Sequence, residues 1–335
     1  MPLLPSRVPR ISRRRALWGL AAVLTVFGVL AWWLRPFGEP ELKGDLVFST
    51  GVPTGGVYHR YGQLLKEDLA EDIPGVKVRL DPSEGSQQNL QRVAAGQADF
   101  TVATADAVSK YRLDGKPGAD RLRGVARLYD DYVQLVVPAG SSVQSTRDLR
   151  GKRVAVGQNG SGVRLISERL LSAAKLDPKK DITPLSIGID TMPAELEAGR
   201  IDAFFWSGGL PTNAVHALSE RFEIRLVPLG DLVEKLQGSG SPARYYRAAV
   251  MPQDAYARAR NTAAVATLAV PNLLVTREDT SEELTEQFTR TVIKSRDRIG
   301  HAVHAAQLVD LRTAIYTDPL DLHEGARRYY RSVKP

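Results

Sequence analysis

An order of strand-like and helix-like runs is written twice in this 335-residue chain, and that repetition constrains the fold more than any other feature. In the first copy "DLVFST" reads as a strand, and "GGVYHRYGQLLKEDLA" as a helix with Tyr58, Tyr61, Leu64, Leu65 and Leu69 on one broad face. "VKVRLDP" is a second strand, "SQQNLQRVAAG" a helix closed by Gly96, and "ADFTVAT" a third strand. About a hundred residues later "KRVAVG", "VRLISERLLSAAKL", "ITPLSIG", "TMPAELEAG" and "IDAFFWSGG" repeat the series. The closest local match joins Ala95-Gly96-Gln97-Ala98-Asp99-Phe100 to Ala198-Gly199-Arg200-Ile201-Asp202-Ala203-Phe204, each a helix end, a glycine and an Asp that opens a buried strand. The alternation predicts an α/β protein of two lobes.

Each copy has a small-residue turn between its first strand and first helix. Ligands of open α/β sheets bind outside the carboxyl ends of the strands, and helix starts present unpaired N–H groups that suit an anion. Two such lobes facing each other across a cleft make a hinged binder. The first turn, "GVPTGG", lacks the Gly-Lys-Ser/Thr of a phosphate loop and breaks the G-x-G-x-x-G spacing. It leaves a backbone cradle in which Thr54, Gly55, Gly56 and Tyr58 offer N–H and hydroxyl donors; glycines that only turn the chain are the alternative. Gly85 and Ser86 open another helix, with Ser86 equally readable as an ordinary N-cap, and "QNGSGV" opens a third. After the strand in "FFWSGGLP", Ser207 faces the cleft with Gly208 and Gly209 behind it, and Trp206 either joins them or packs into the core.

The net charge of +7 would suggest nucleic acid if it were spread over the body. Arg7, Arg10, Arg13, Arg14 and Arg15 account for five of the 45 basic residues, leaving 40 against 38 acidic ones. Nucleic-acid binding is therefore not expected. After these arginines, residues 16–34 contain no charge, and 19 residues at about 1.5 Å each reach roughly 28 Å, close to a bilayer's hydrocarbon thickness. The sequence thus predicts a basic cytoplasmic tail (1–15), a transmembrane helix (16–34) and a linker (35–44). Beyond these lie a first lobe (45–132), a second (133–232) and a return to the first with C-terminal helices (233–335), all outside the cytoplasm. A cleaved export signal, which would release a secreted body, is the alternative.

Catalysis finds no footing. The chain has no Cys, and His59, His216, His301, His304 and His323 stand in no triad or zinc-protease motif. His301 and His304 read as exposed helix residues, and Asp130-Asp131-Tyr132 as a solvated turn near a lobe crossover, with acidic groups that touch an ammonium as the alternative. No metal, cofactor or enzymatic activity is expected.

Four stretches, "STGVPTGGVYHRYGQLL", "EGSQQNLQRVAAGQADFTVATAD", "LRGKRVAVGQNGSGVRLISERLL" and "AGRIDAFFWSGGLPTNAV", resemble the TAXI family. These are the solute-binding subunits of tripartite ATP-independent periplasmic (TRAP) transporters. The likeness runs in order over residues 45–300. It implies a type II periplasmic-binding-protein fold, capture of a small carboxylate (glutamate-like, a 2-oxo acid or a dicarboxylic acid) and delivery to a TRAP permease. Carried onto this sequence it marks Thr54, Gly55, Gly56 and Tyr58; Gly85, Ser86 and Gln87; Gly160, Ser161 and Gly162; and Ser207, Gly208 and Gly209 as ligand-binding. Where the family usually continues with two aromatics and a Pro, this chain has Tyr58 followed by His59-Arg60-Tyr61. A membrane-anchored sensor of the same fold, signalling through a separate partner, is the alternative function.

Overall fold

The computed structural model describes residues 25–27 and 42–333, except 239 and 257. Residues 25–27 are helical and exposed. The rest of the expected transmembrane segment and the basic tail lie outside the described residues, among which no helix is long and apolar enough to cross a membrane.

From Leu42 onward the chain forms one compact unit built on a ten-stranded sheet. In its first half β1 (Gly44–Ser49) lies between β2 (Val76–Asp81) and β3 (Phe100–Thr104), all parallel. In its second half β5 (Arg153–Ala155) lies between β6 (Thr183–Leu185) and β7 (Ala203–Gly208), again all parallel. The helices between these strands are α1 (Val57–Asp72), α2 (Ser86–Ala94) and α3 (Ala105–Leu113) in the first half, and α4 (Gly162–Ala173) and α5 (Met192–Glu197) in the second.

The matched Asp residues explain why the copies share a phrase. Asp99 Oδ2 accepts the Val47 amide of β1 at 2.7 Å while the Asp99 amide donates to the Val47 carbonyl. Asp202 makes the same two bonds to Arg153 of β5. Each carboxylate extends the ladder by one rung at the strand's entrance, and the preceding Gly96 and Gly199, both at positive φ, end the helix that leads there.

Two long strands join the halves. Strand β4 (Leu122–Pro138) runs from pairing with β10 (Val265–Arg277) to pairing with β7 and with β8 (Ile224–Val227). Strand β10 is antiparallel to β3, β4 and β9 (Arg247–Met251). At Asp130, Asp131 and Tyr132 the chain passes between the halves, opposite Pro271, Val270 and Ala269.

The core falls into two clusters. One lies under α1, α8 (Glu282–Lys294) and α10 (Glu324–Val333), where Phe100 and Phe288 stack with centroids 4.1 Å apart. The other runs from α2 and α3 along the opposite face into the second half, under α4, α5, α6 (Asn213–Arg221) and α7 (Val233–Gln237). Short α9 (Arg296–Gly300) ends at His301, and His304 follows in a 3-10 turn, so these two histidines share no helix.

Candidate functional site

Strands β1 and β5 deliver their turns to the same place because both run parallel within their halves and end toward the junction. Between the turns lies a cavity of about 60 Å³, room for several waters at about 10–15 Å³ each. Its wall includes Gly56 and Tyr58 from the first turn, Gly85 and Ser86 from the start of α2, Ser161 and Gly162 from the start of α4, and Ser207 from β7. Among the described residues, no Lys, Arg or His lines it.

Six other residues marked in the sequence stand off this wall. Thr54 and Gly55 are exposed; Gly55 and Gly209 border a separate depression beside His304. Gly208 is confined because a Cβ there would come 2.6 Å from Trp206 Nε1. Gln87 and Gly160 form a contact between the halves. The Gln87 and Gln88 amides, at the start of α2, donate to the Gly160 carbonyl at 2.9 and 3.0 Å, and Gln87 Nε2 donates to the Ser161 carbonyl at 2.7 Å.

The three helix starts therefore differ in what their N–H groups do. At α2 two of them, the Gln87 and Gln88 amides, are taken by Gly160. At α4 the Ser161 hydroxyl accepts the Arg164 amide at 3.0 Å, an ordinary N-cap. Helix α1 begins at Gly56 with no side-chain cap, and its first-turn residues Val57 and Tyr58 line the cavity. Close approach of the halves depends on Gly162: a Cβ there would meet Ser86 Oγ at 2.9 Å and Thr104 Oγ1 at 3.3 Å. A second link lies behind the cavity, where Asp106 of α3 accepts the Tyr246 hydroxyl at 2.6 Å and Arg169 of α4 at 3.4 Å.

The structure corrects one expectation outright. Asp131 is no part of a solvated turn; it is 3% exposed, sits where β4 crosses between the halves and lines the cavity. Burial pushes its carboxyl up to about 7, the neighbouring Asn272 amide and Ser207 hydroxyl pull it partly back, and Asp130 and Asp106 raise it further. Burial, followed by the negative Asp131, also raises the Tyr58 hydroxyl well above its ordinary value, so it stays protonated and donates to Asn272 Oδ1.

Three residues of this wall carry a buried polar atom with no hydrogen-bond partner among the described residues: Asp131 Oδ1, Thr104 Oγ1 and Trp206 Nε1. Each such orphan costs roughly 1–3 kcal/mol. Trp206 combines both readings offered for it, since it packs in the second core cluster and also lines the cavity. Thr104 and Asn272 were missed in the sequence, where no glycine motif marks them, and Asp131 was noticed there but read first as a solvated turn.

Three solved structures place this architecture among known ones. A putative L-cystine ABC transporter from Listeria monocytogenes is 15% identical, with TM-score 0.51, over 80% of this chain and 99% of its own. A Bordetella bronchiseptica protein is 17% identical, with TM-score 0.51, over 88% and 90%. An ancestral arginine-binding protein, solved with arginine, is 16% identical, with TM-score 0.50, over 78% and 98%. The shared architecture is the type II periplasmic-binding-protein fold, two α/β lobes joined by two crossing strands. The model of the NMT1-like family matches residues 48–333, from β1 through α10, and the chain belongs to that family.

Proposed function

We propose that this protein is an extracytoplasmic solute-binding protein of the TAXI type, which closes its two lobes on a small carboxylate and passes it to a TRAP-type permease. The carrying observation is the cavity between two strand-end turns, lined by glycines, hydroxyl-bearing and apolar residues; three of its lining residues carry an unpaired buried polar atom. A solute that fills it would satisfy groups that are costly to bury alone. The uncapped start of α1 is the carboxylate's seat, because its N–H groups carry the positive end of the helix dipole and Gly56, Val57 and Tyr58 line the cavity. Closure follows from the solute's higher affinity for the state in which both lobes touch it. Residues 16–34 would hold the body at the outer face of the membrane.

Thermal unfolding of the full-length chain against amino acids, 2-oxo acids, dicarboxylates and sugars tests this reading. A solute at a hundred times its Kd adds about 2.7 kcal/mol of stability. A clear upward shift with a carboxylate is expected. A shift with sugars alone would overturn the carboxylate assignment, and co-purification of a kinase in place of a permease would overturn the transport role.

A further inference from the structure

The receptor reading accounts for a carboxylate but leaves Asp131 without a task. A buried carboxylate facing an empty space is costly unless a partner arrives. The wall supplies no cation: its only charged side chains among the described residues are Asp131 itself and Glu84, the latter exposed. The nearby Arg169 is engaged with Asp106 and Tyr246. A dicarboxylic acid here would meet a buried negative group with nothing between them.

On top of that receptor reading, we propose that the solute carries a cationic amine seated on the Asp131 carboxylate. Its class would then be an α-amino acid, and Asp131 the residue that separates it from the matching 2-oxo acid. Asp131 lines the cavity with its Oδ1 unpartnered among the described residues, while the rest of the carboxylate has the Asn272 amide beside it and a long contact from Ser207 Oγ at 3.5 Å. The wall also offers complementary donors to the other end of such a molecule. Trp206 Nε1 and the Thr104 hydroxyl are unpaired, and the first turn of α1 lies on the same cavity. Val52, Val163, Ile189 and Met192 complete an apolar wall, which suits a small side chain better than a second charged group.

The titratable and polar groups around Asp131 are Tyr58 from α1, Asp106 from α3, Tyr129 and Asp130 from β4, Ser207 from β7 and Asn272 from β10. None carries a positive charge, so a cation placed among them favours the ionised form of Asp131, and an anion favours the protonated form. Binding an amine near neutral pH therefore releases protons from this site, whereas binding a 2-oxo acid takes protons up.

The test is calorimetry on the full-length chain with paired probes: alanine and pyruvate, valine and 3-methyl-2-oxobutanoate, glutamate and 2-oxoglutarate. Each titration is run in two buffers of different ionisation enthalpy. The inference expects binding of an amino member, proton release, and a 10- to 100-fold loss for that member in Asp131→Asn, an isosteric change that keeps the fold. Binding of an oxo member in preference to its amino partner, or proton uptake with the amino member, overturns the inference and leaves the carboxylate receptor standing. Unchanged affinity in Asp131→Asn does the same. Failure of every probe to bind overturns both readings.

Discussion

The starts of α1 and α2 look alike in sequence, a glycine followed by a short polar or aromatic segment, yet they do opposite things. At α2 two of the first amides are held by the Gly160 carbonyl of the other lobe, which turns a potential anion site into a clasp. At α1 no side chain caps the helix and its first residues face the cavity beside Asp131. A helix N-terminus is thus only a set of donors, and what those donors hold is decided by whatever the fold brings opposite.

Substitutions can break or sharpen this contrast. The largest effect belongs to Gly162→Val, which would force Ser86 and Thr104 away from α4 and hold the lobes apart. Affinity for the stabilising solute should fall at least a hundredfold, about 2.7 kcal/mol, by calorimetry. An unchanged Kd would mean that the clasped state is not the binding state.

Next comes pH. The folded carboxyl of Asp131 lies near 7, above its value of about 3.9 in the unfolded chain, so its contribution to ligand-free stability is complete below pH 4 and is lost as pH rises through 7. The Tm of Asp131→Asn should fall less than wild type between pH 4 and 7. Parallel curves would place the carboxyl in contact with water.

Tyr58→Phe removes the donor to Asn272 Oδ1 at the cavity side of α1, and the cost should be about 1–1.5 kcal/mol in solute affinity, with smaller loss of Tm. Ser161→Ala removes the α4 cap and should lower stability by about 1 kcal/mol, read from urea midpoints. Smallest of all, Gln87→Ala deletes only the side-chain bond to Ser161 and leaves both amides on Gly160. A change in Kd beyond about threefold, roughly 0.7 kcal/mol, would show that the clasp depends on the side chain.

The repeated architecture was legible because its causes are local. Gly96 and Gly199 take positive φ where their helices stop, and Asp99 and Asp202 bond to the strand beside them, so both copies had to keep the same short phrase. Seven of the thirteen marked residues line the cavity for the same reason: turns at strand ends converge whenever the strands are parallel. The burial of Asp131 was not legible because its causes are distant. Asp131 is buried by Ser207 and Asn272, 76 and 141 positions along the chain. Two adjacent Asp residues before a Tyr have the local look of a solvated turn. Nothing nearby signals that they lie inside a strand of 17 residues crossing from one lobe to the other.

The Gly160 clasp is built from peptide groups on both sides, and a peptide N–H survives every side-chain substitution except one to proline. The grip that brings the lobes together is therefore inherited with the backbone, while the cavity behind it is drawn in side chains. A lineage built on this frame can exchange one cargo for another by rewriting the wall, and the latch goes with it unaltered.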